Sequence, residues 1–369
     1  MSERPRLFYL DNLRAVVIVM VIVLHTSITY MANPPVWWNV LDPDSSMLFT
    51  MLVLVVDVAI MPILFFVAGY LATPSLQRRG PRGFVREKVV RLGIPWVLGV
   101  VFLAPLATYM TYVSRNVPMS YLQFWATDFW GPLFSHGVYW FLGVLFVAFL
   151  VLVYAYEFPA RATLQAGPRV AQPKVRLFAW FVVLTAGGSI LLAPILGLDD
   201  WRSLRVLVVQ PARIAFYAGY FALGIYAERH AWFTEGGFRP KLALWGPGCV
   251  LAGAAYLAYR LADTPRAVPA MAVTALLFSA FCLATLLAGV ALFSRWVNGA
   301  GPAWRTLAAN SYGIYYVHPL ILYPLAYVLV GVSVPSWLKA TFLVVVTLVL
   351  SLAVSALVLK RGPGLRRMF

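Results

Sequence analysis

The chain has 369 residues, of which 62% are hydrophobic and only 11% are charged, and its mean hydropathy is +0.82. Because a soluble domain carries roughly a quarter charged residues, this composition excludes an ordinary soluble globule and predicts an all-α protein whose solvent is mostly lipid. The net charge of +16 would suggest nucleic acid in a soluble protein, but no basic run is interleaved with exposed aromatic residues. We therefore expect no nucleic-acid partner and assign the charge to loops that face anionic lipid headgroups.

Apolar runs of about twenty residues predict about ten transmembrane helices and one polytopic membrane domain over residues 1–369, with no soluble C-terminal domain. The approximate spans are 13–32, 47–72, 92–113, 138–156, 176–197, 208–227, 241–260, 269–293, 307–331 and 336–359. With the N-terminus inside, the inner segments hold 21 of the basic residues and the outer segments 6. By the positive-inside rule, both termini are predicted to be cytoplasmic.

Two kinds of residue in the predicted spans and loops have ordinary structural explanations. Cys249 and Cys282 both fall in apolar runs, so we expect them to pack in the core, and we predict no metal site. The two longest outer connections are rich in aromatic residues. These include Trp37, Trp38, Trp125 and Trp130. They are typical of interfacial anchors, and a platform on which a sugar ring stacks is the alternative.

The first predicted helix carries an arginine and a histidine, which are costly inside a bilayer and are therefore candidate site residues. Arg14 and His25 are eleven positions apart, so at about 100° per residue they leave the same face, about 16 Å apart along the axis. Arg14 could instead be a cytoplasmic anchor, and His25 a neutral histidine bonded to a neighbouring hydroxyl. Arg213, on the sixth predicted helix, is a further buried charge.

Two aspartates are placed where they could act on these residues. Asp11 precedes the first apolar run, where it would cap the helix or pair with Arg14 three positions on. Asp57 lies about ten residues into the second helix, which enters from outside, so its depth roughly matches that of His25. A carboxylate beside an imidazole fixes its tautomer and favours its use as a general base, so we predict that His25 is a general base oriented by Asp57 or by a hydroxyl.

The densest basic cluster leads into the third predicted helix. Lys88 and Arg91 are three positions apart and so share a helix face, where they could clamp phosphate groups at the membrane edge. An ordinary loop whose charge only sets topology is the alternative.

A second histidine lies in the ninth predicted span, in the run Ser311-Tyr-Gly-Ile-Tyr-Tyr-Val-His318-Pro319. Pro319 has no N–H to bond back to the carbonyl of Tyr315, so we expect a kink there. A kink beside His318 and three tyrosines predicts a polar pocket within the membrane. A kinked helix with an interior histidine and no other role is the alternative.

Three of these motifs together resemble the acyltransferase-3 family of integral membrane acyltransferases. They are Asp11-x-x-Arg14 followed by ten residues and His25, the basic stretch into Leu92-Gly-Ile-Pro95, and Ser311-Tyr-Gly-Ile-Tyr-x-x-His318. The opening Tyr9-Leu-Asp-Asn-Leu-Arg14 is most similar to the glucan succinyltransferase branch. The resemblance covers the whole chain.

The resemblance implies transfer of an acyl group, acetyl or succinyl, from cytoplasmic acyl-CoA to a hydroxyl of an extracytoplasmic glycan or lipid-linked sugar. It implies that Arg14 and His25 are the essential pair, with Arg14 also contacting the donor, and that acyl-CoA is a substrate rather than a bound cofactor. The family's Arg-x-x-Arg falls on Lys88 and Arg91, so a lysine replaces its first arginine. We expect the enzyme in a bacterial inner membrane.

Two other classes of protein could use the same buried charges. A transporter or flippase for a glycan or another anionic solute also places charge between its helices. The few acidic residues within the spans and the lack of repeats argue against it. In a structural membrane protein, Arg14 and His25 would only pack.

Overall fold

The structure is a computed structural model that describes residues 7–131, 133–204, 207–262 and 267–369, and it is a bundle of α-helices. The α-helices are α1 (Phe8–Tyr30), α2 (Met47–Lys88), α3 (Ile94–Leu98), α4 (Ala104–Ser114), α5 (Tyr121–Ala126), α6 (Trp140–Glu157), α7 (Arg161–Gln165), α8 (Val175–Leu196), α9 (Ile214–Arg229), α10 (Leu242–Leu261), α11 (Val268–Trp296), α12 (Pro302–Val328) and α13 (Ser336–Val354). Two short antiparallel strands, β1 (Arg202–Leu204) and β2 (Leu207–Val209), precede α9.

Within the described ranges, seven helical stretches are long and apolar enough to cross a membrane. One of them, Met47–Ser114, covers the second and third predicted spans. The predicted spans 208–227 and 307–331 correspond to α9, which has only 16 residues, and to α12, which is interrupted by polar side chains. An all-α, multi-pass membrane protein is thus confirmed, whereas the total of ten crossings stays a prediction.

The connection between the second and third predicted spans is helical rather than a loop. α2 continues to Lys88, with one break at Gly80, whose φ of 69° lies in the left-handed region that favours glycine. Pro81 follows at a position where a helix start needs no N–H. Two π-helical segments, Val89–Gly93 and Gly99–Leu103, then flank α3. Such widened turns shift the side-chain register and occur often at functional sites.

Contacts between distant segments sort the chain into two ends of the bundle. At one end, Asn12 donates to the carbonyls of Val297 and Gly299, which joins the start of α1 to the connection between α11 and α12. We call this the basic end, since Lys88, Arg91 and the end of α13 also lie there. At the opposite end, Asp42 pairs with Lys339, which joins the connection between α1 and α2 to the start of α13.

These two groups of connections agree with predicted helices that cross the membrane in alternating directions. Four residues in the count of basic charges lie outside the described residues. They are Arg4, Arg6, Arg205 and Arg266.

α1 lies at the centre of the bundle and packs against α2, α11, α12 and α13. α2 and α9 form the closest helix pair, because Gly69 and Gly224 let the two backbones touch: a Cβ on either glycine would collide with a carbonyl of the partner helix. The central position of α1 is what brings Arg14 and His25 inside the protein.

Candidate active site

α1 and α12 run side by side in the same direction and bring two histidines together. The Nδ1 atom of His25 lies 2.8 Å from the Nε2 atom of His318, and the two rings stack at 5.1 Å between centroids. Further toward the basic end, the Nη2 atom of Arg14 lies 3.4 Å from the carbonyl of Ala308. Arg14 and His25, eleven positions apart on α1, contact Ala308 and His318, ten positions apart on α12. Both side chains therefore face the same neighbouring helix, as their spacing predicts.

Pro319 creates the acceptor that orients His318. α12 is continuous through this proline, which has no N–H for the carbonyl of Tyr315. That carbonyl instead lies 2.7 Å from the Nδ1 atom of His318. The missing backbone hydrogen bond is therefore replaced by one from the histidine side chain, one turn away on the same helix.

These contacts fix the tautomers of both rings. A carbonyl oxygen only accepts, so Nδ1 of His318 carries the proton, and the Nε2 atom of the neutral ring has a lone pair. The hydrogen bond between the rings then requires Nδ1 of His25 to donate. Neutral rings are expected, because charged imidazoles without a counter-charge are costly to bury. The Nε2 atom of His25 thus keeps a free lone pair, as a general base requires.

The two histidines differ in their access to solvent and ligands. His318 is fully buried, whereas His25 is partly exposed. The indole of Trp38 lies against His25 with 5.5 Å between ring centroids, and its N–H donates to the hydroxyl of Thr29. The connection between α1 and α2 therefore folds back over His25, which places Trp38 in the core rather than at the membrane interface.

This connection is held in place by a buried ion pair. The Asp42 carboxylate lies 2.9 Å from the Lys339 ammonium, and both side chains are buried. The backbone N–H of Asp42 also donates to the carbonyl of Thr29. By contrast, Trp37 is 54% exposed, and its ring lies 5.8 Å from that of Trp38. An exposed aromatic surface is therefore fixed next to the residue that covers His25.

The 3₁₀ turn Gly137–Tyr139, just before α6, packs against another side of α12. The hydroxyl of Tyr139 donates to the carbonyl of Tyr316 at 2.9 Å, and the hydroxyl of Tyr315 donates to the carbonyl of Val138. Gly99, in the second π-helical segment, gives the Tyr139 ring the space it needs. Irregular backbone at membrane depth is tolerated where it is buried in protein or lines a polar cavity, and here it lies beside the turn that carries His318.

Arg14 lies toward the basic end with a side chain that is 37% exposed. Its guanidinium lies 3.7 Å from the Asp11 carboxylate. Asp11 belongs to the first turn of α1 and does not cap the helix, whose N-cap position is Leu7 without a side-chain hydrogen bond. Of the two roles predicted for Asp11, pairing with Arg14 is the one that the structure supports.

Asp57 does not orient His25. Its carboxylate binds the Arg213 guanidinium at 2.6 Å, and a second nitrogen of Arg213 binds Asp199 at 2.8 Å. Arg260 completes this network by binding Asp199 at 3.0 Å. Similar depth on two helices was the only basis for the predicted pair, and depth does not specify direction around the helix. The residues that orient His25 are on α12 instead.

The phosphate clamp of Lys88 and Arg91 stays a prediction, and in the structure both cations lie near one carboxylate, that of Glu87, at 3.8 and 3.6 Å. The Lys88 ammonium lies between the rings of Phe84 and Phe149, 4.8 and 4.6 Å from their centroids, and its side chain is 16% exposed. Arg91 is 53% exposed and lies 3.6 Å from Glu87. A π-helical turn begins at Val89, between the two residues.

Two apolar grooves lie along α1. One, of about 520 Å³, is lined by Val23 and Ser27 of this helix, and the other, of about 460 Å³, is lined by Val17 and Met20. At about 100° per residue, Val23 and Ser27 lie about 160° around the helix from His25, whereas Met20 and Val17 lie about 140° and 80° from it. The first groove is therefore on the side of α1 opposite to His25.

The sequence identified both histidines but missed their pairing and the cover that Trp38 provides. One local signal was present, since Pro319 frees the carbonyl of Tyr315 and the preceding residue is the histidine that uses it. No local signal links His25 to His318, which are 293 positions apart.

Comparison with known proteins gives a family for this arrangement. The family model described as "Acyltransferase domain" matches residues 7–356. A curated relative, the Glucans biosynthesis protein C of Salmonella gallinarum (strain 287/91 / NCTC 13346), is 25% identical over 285 residues. That match covers 70% of this chain and 66% of the relative, slightly less than two thirds of its length. No solved structure matches the chain significantly.

Proposed function

The chain belongs to the acyltransferase-3 family of membrane enzymes, and from this premise we propose that it transfers an acetyl or succinyl group from cytoplasmic acyl-CoA to a hydroxyl of an extracytoplasmic glycan or lipid-linked sugar. The observation that supports the proposal best is the relay from His25 through His318 to the carbonyl of Tyr315. A relay of this kind leaves a base with a defined lone pair, which acyl transfer to an alcohol needs. A transporter or flippase has no need for a tautomer fixed in this way.

The reaction uses the relay in two proton transfers. The Nε2 atom of His25 takes the proton of the acceptor hydroxyl while its oxygen attacks the thioester carbonyl. The carbon–sulfur bond then breaks, and the imidazolium of His25 returns the proton to the departing thiolate, so the products are an ester and free coenzyme A. During the step, Nε2 of His318 accepts a stronger hydrogen bond from the charged ring of His25.

The two ends of the bundle suit the two substrates. The basic end, in the predicted cytoplasmic orientation, attracts the anionic nucleotide of the donor. Arg14, about 16 Å from His25 along α1, is available to guide the donor toward the base. At the other end, the exposed face of Trp37 is placed to stack against a sugar ring. The name of the relative supports a glucan as the acceptor class, in the inner membrane of a bacterium.

Purified protein in lipid vesicles, given radiolabelled acetyl-CoA or succinyl-CoA and an oligoglucan, tests the proposal. We expect acyl ester to form with the wild type, and His25→Ala to lower kcat by roughly 10²- to 10⁴-fold, the usual contribution of a general base. His230→Ala is the matched control, because His230 lies just after α9, where its Nδ1 atom lies 2.9 Å from the carbonyl of Tyr226. Unchanged transfer by a folded His25→Ala protein would rule out the proposed mechanism.

A further inference from the structure

Three cationic residues surround one turn of α12 at the basic end. Arg14 of α1 contacts the carbonyl of Ala308, and the Lys360 ammonium lies 2.6 Å from the carbonyl of Ala309. On another side of α12, the hydroxyl of Tyr312 donates to the carbonyl of Arg91 at 2.7 Å. The α12 residues in these contacts lie within four helix steps, or about 6 Å of rise, so the side chains of Arg14 and Lys360 and the backbone of Arg91 reach α12 at one level.

Lys360 differs from the two arginines in its charge balance. Arg14 lies 3.7 Å from Asp11, and Arg91 lies 3.6 Å from Glu87. Within the part of the chain that the structure describes, no carboxylate lies within 4.0 Å of the Lys360 ammonium. Partial burial lowers the pKa of Lys360 from its ordinary value, a shift that a bound anion would oppose.

The segment after Lys360 adds positive charge at the same place. Residues 361–369 fold back against α12, where the Phe369 ring lies 5.0 Å from that of Tyr312 and 4.9 Å from that of Tyr316. This segment carries three more arginines and no carboxylate side chain. They are Arg361, Arg366 and Arg367. The surface next to the three cations is therefore strongly basic.

We propose that Lys360, together with Arg14 and Arg91, binds the phosphate groups of the acyl-CoA nucleotide. This inference rests on the proposed function and adds to it a donor-binding residue from the far end of the chain. The sequence assigned phosphate binding to Lys88, whose ammonium lies between two aromatic rings. We assign this role to Lys360 instead. A lysine and two arginines suit a ligand with several phosphates, since each forms charge-assisted hydrogen bonds to phosphate oxygens.

A phospholipid headgroup offers the same phosphate chemistry, and the position of the site favours the nucleotide. Arg14 and His25 share a helix face, so phosphates bound beside Arg14 place the donor on the side of α1 that leads to the base. The apolar groove lined by Val23 and Ser27 lies on the opposite side of α1.

Steady-state kinetics of the purified full chain in vesicles of neutral lipid test the assignment. For Lys360→Gln we expect KM for acyl-CoA to rise about 5- to 20-fold, which corresponds to the loss of one partly exposed charge-assisted hydrogen bond. We expect kcat and KM for the acceptor to stay within about twofold, and Lys360→Arg to restore most of the affinity. Lys241→Gln, which removes an exposed lysine at the start of α10, is the matched control.

Two further arms identify the source of the phosphate. Equilibrium binding of coenzyme A should weaken in Lys360→Gln by the same factor as KM rises, and a donor that lacks the 3′-phosphate shows which phosphate Lys360 contacts. The assignment is overturned if KM and binding are unchanged in Lys360→Gln, or if the defect appears only with anionic lipid and is the same for every donor. A wild type without transferase activity would instead refute the proposed function, while coenzyme A binding would still report on the site.

Discussion

Two polar clusters in this protein differ in whether they leave a group that can react. The cluster between α1 and α12 consists of two imidazoles and a backbone carbonyl, His25, His318 and Tyr315, joined in one direction. The cluster that joins α2, α9 and α10 consists of alternating charges, in which Arg213 lies between Asp57 and Asp199. In the first cluster one nitrogen keeps its lone pair, whereas in the second each charged group is matched by an opposite charge.

This difference indicates which cluster can take part in the reaction and which one stabilises the fold. Satisfied ion pairs hold helices together but present no free base, and two nitrogens of Arg213 are already engaged by carboxylates. A neutral relay holds one ring in a fixed tautomer at little electrostatic cost, so the ring is ready to accept a proton. We therefore assign catalysis to the histidine pair and a structural role to the network around Arg213.

Among the substitutions considered next, those of His318 should lower kcat most. In His318→Gln, the side-chain oxygen can still accept from Nδ1 of His25, whereas His318→Met has similar length and cannot accept well. We expect kcat to fall about 100-fold in His318→Met and about 10-fold in His318→Gln, measured with saturating donor and acceptor. Equal losses in two folded variants would show that His318 only fills space.

Breaking the charge network should affect stability rather than chemistry. Arg213→Gln leaves Asp57 and Asp199 without their shared partner, and both carboxylates are partly exposed. We expect a loss of about 2 kcal/mol in the free energy of unfolding, less than for a fully buried pair, with kcat of the folded protein within about twofold. The control is Arg239→Gln, an exposed arginine. A fall in kcat without a fall in thermal stability would contradict the structural role.

Removal of the exposed Trp37 ring next to the site should change only the KM for the acceptor. For Trp37→Ala we expect KM for the glycan to rise roughly 3- to 10-fold, the contribution of one ring stacking contact, while KM for acyl-CoA stays the same. Trp180→Ala is the matched control, since Trp180 is also exposed, at 63%, and lies on α8 rather than in the aromatic outer connections. An equal effect of the two substitutions on acceptor KM would mean that Trp37 is only an interfacial anchor.

Restoring the missing backbone hydrogen bond in α12 should have the smallest effect. Pro319→Ala supplies an N–H that competes with His318 for the carbonyl of Tyr315. Because a carbonyl has two lone pairs, we expect only about a threefold fall in kcat, with thermal stability unchanged or higher, as Ala is favoured over Pro inside a helix. A faster enzyme would show that the relay does not depend on this carbonyl.

The sequence predicted those parts of the molecule that depend on local pattern. Hydropathy gave the membrane class, and helical periodicity correctly placed Arg14 and His25 on one face of α1. Periodicity failed where the backbone departs from an α-helix. At Val89–Gly93 the structure has a π-helical turn, and residues 208–213, predicted as helix, form the end of a strand and a 3₁₀ turn.

The pairings between distant residues could not be predicted, because the pattern within one helix does not specify which neighbour its polar face meets. Depth alone suggested Asp57 as the partner of His25, and the structure places that carboxylate against Arg213 instead. Lys360 was counted only as a positive-inside charge, although it contacts the same turn of α12 as Arg14. Both outcomes depend on tertiary packing around α1 and α12.

The tautomer of His25 is the property on which the proposed mechanism depends most directly. Nitrogen-15 NMR of the protein labelled at histidine, in lipid and near neutral pH, reports which nitrogen of each ring carries the proton, and the His25→Ala and His318→Ala variants assign the signals. We expect both rings to be neutral and protonated at Nδ1, with coupling across the hydrogen bond from Nδ1 of His25 to Nε2 of His318. A proton on Nε2 of His25 in the resting enzyme would contradict the role of His25 as the base.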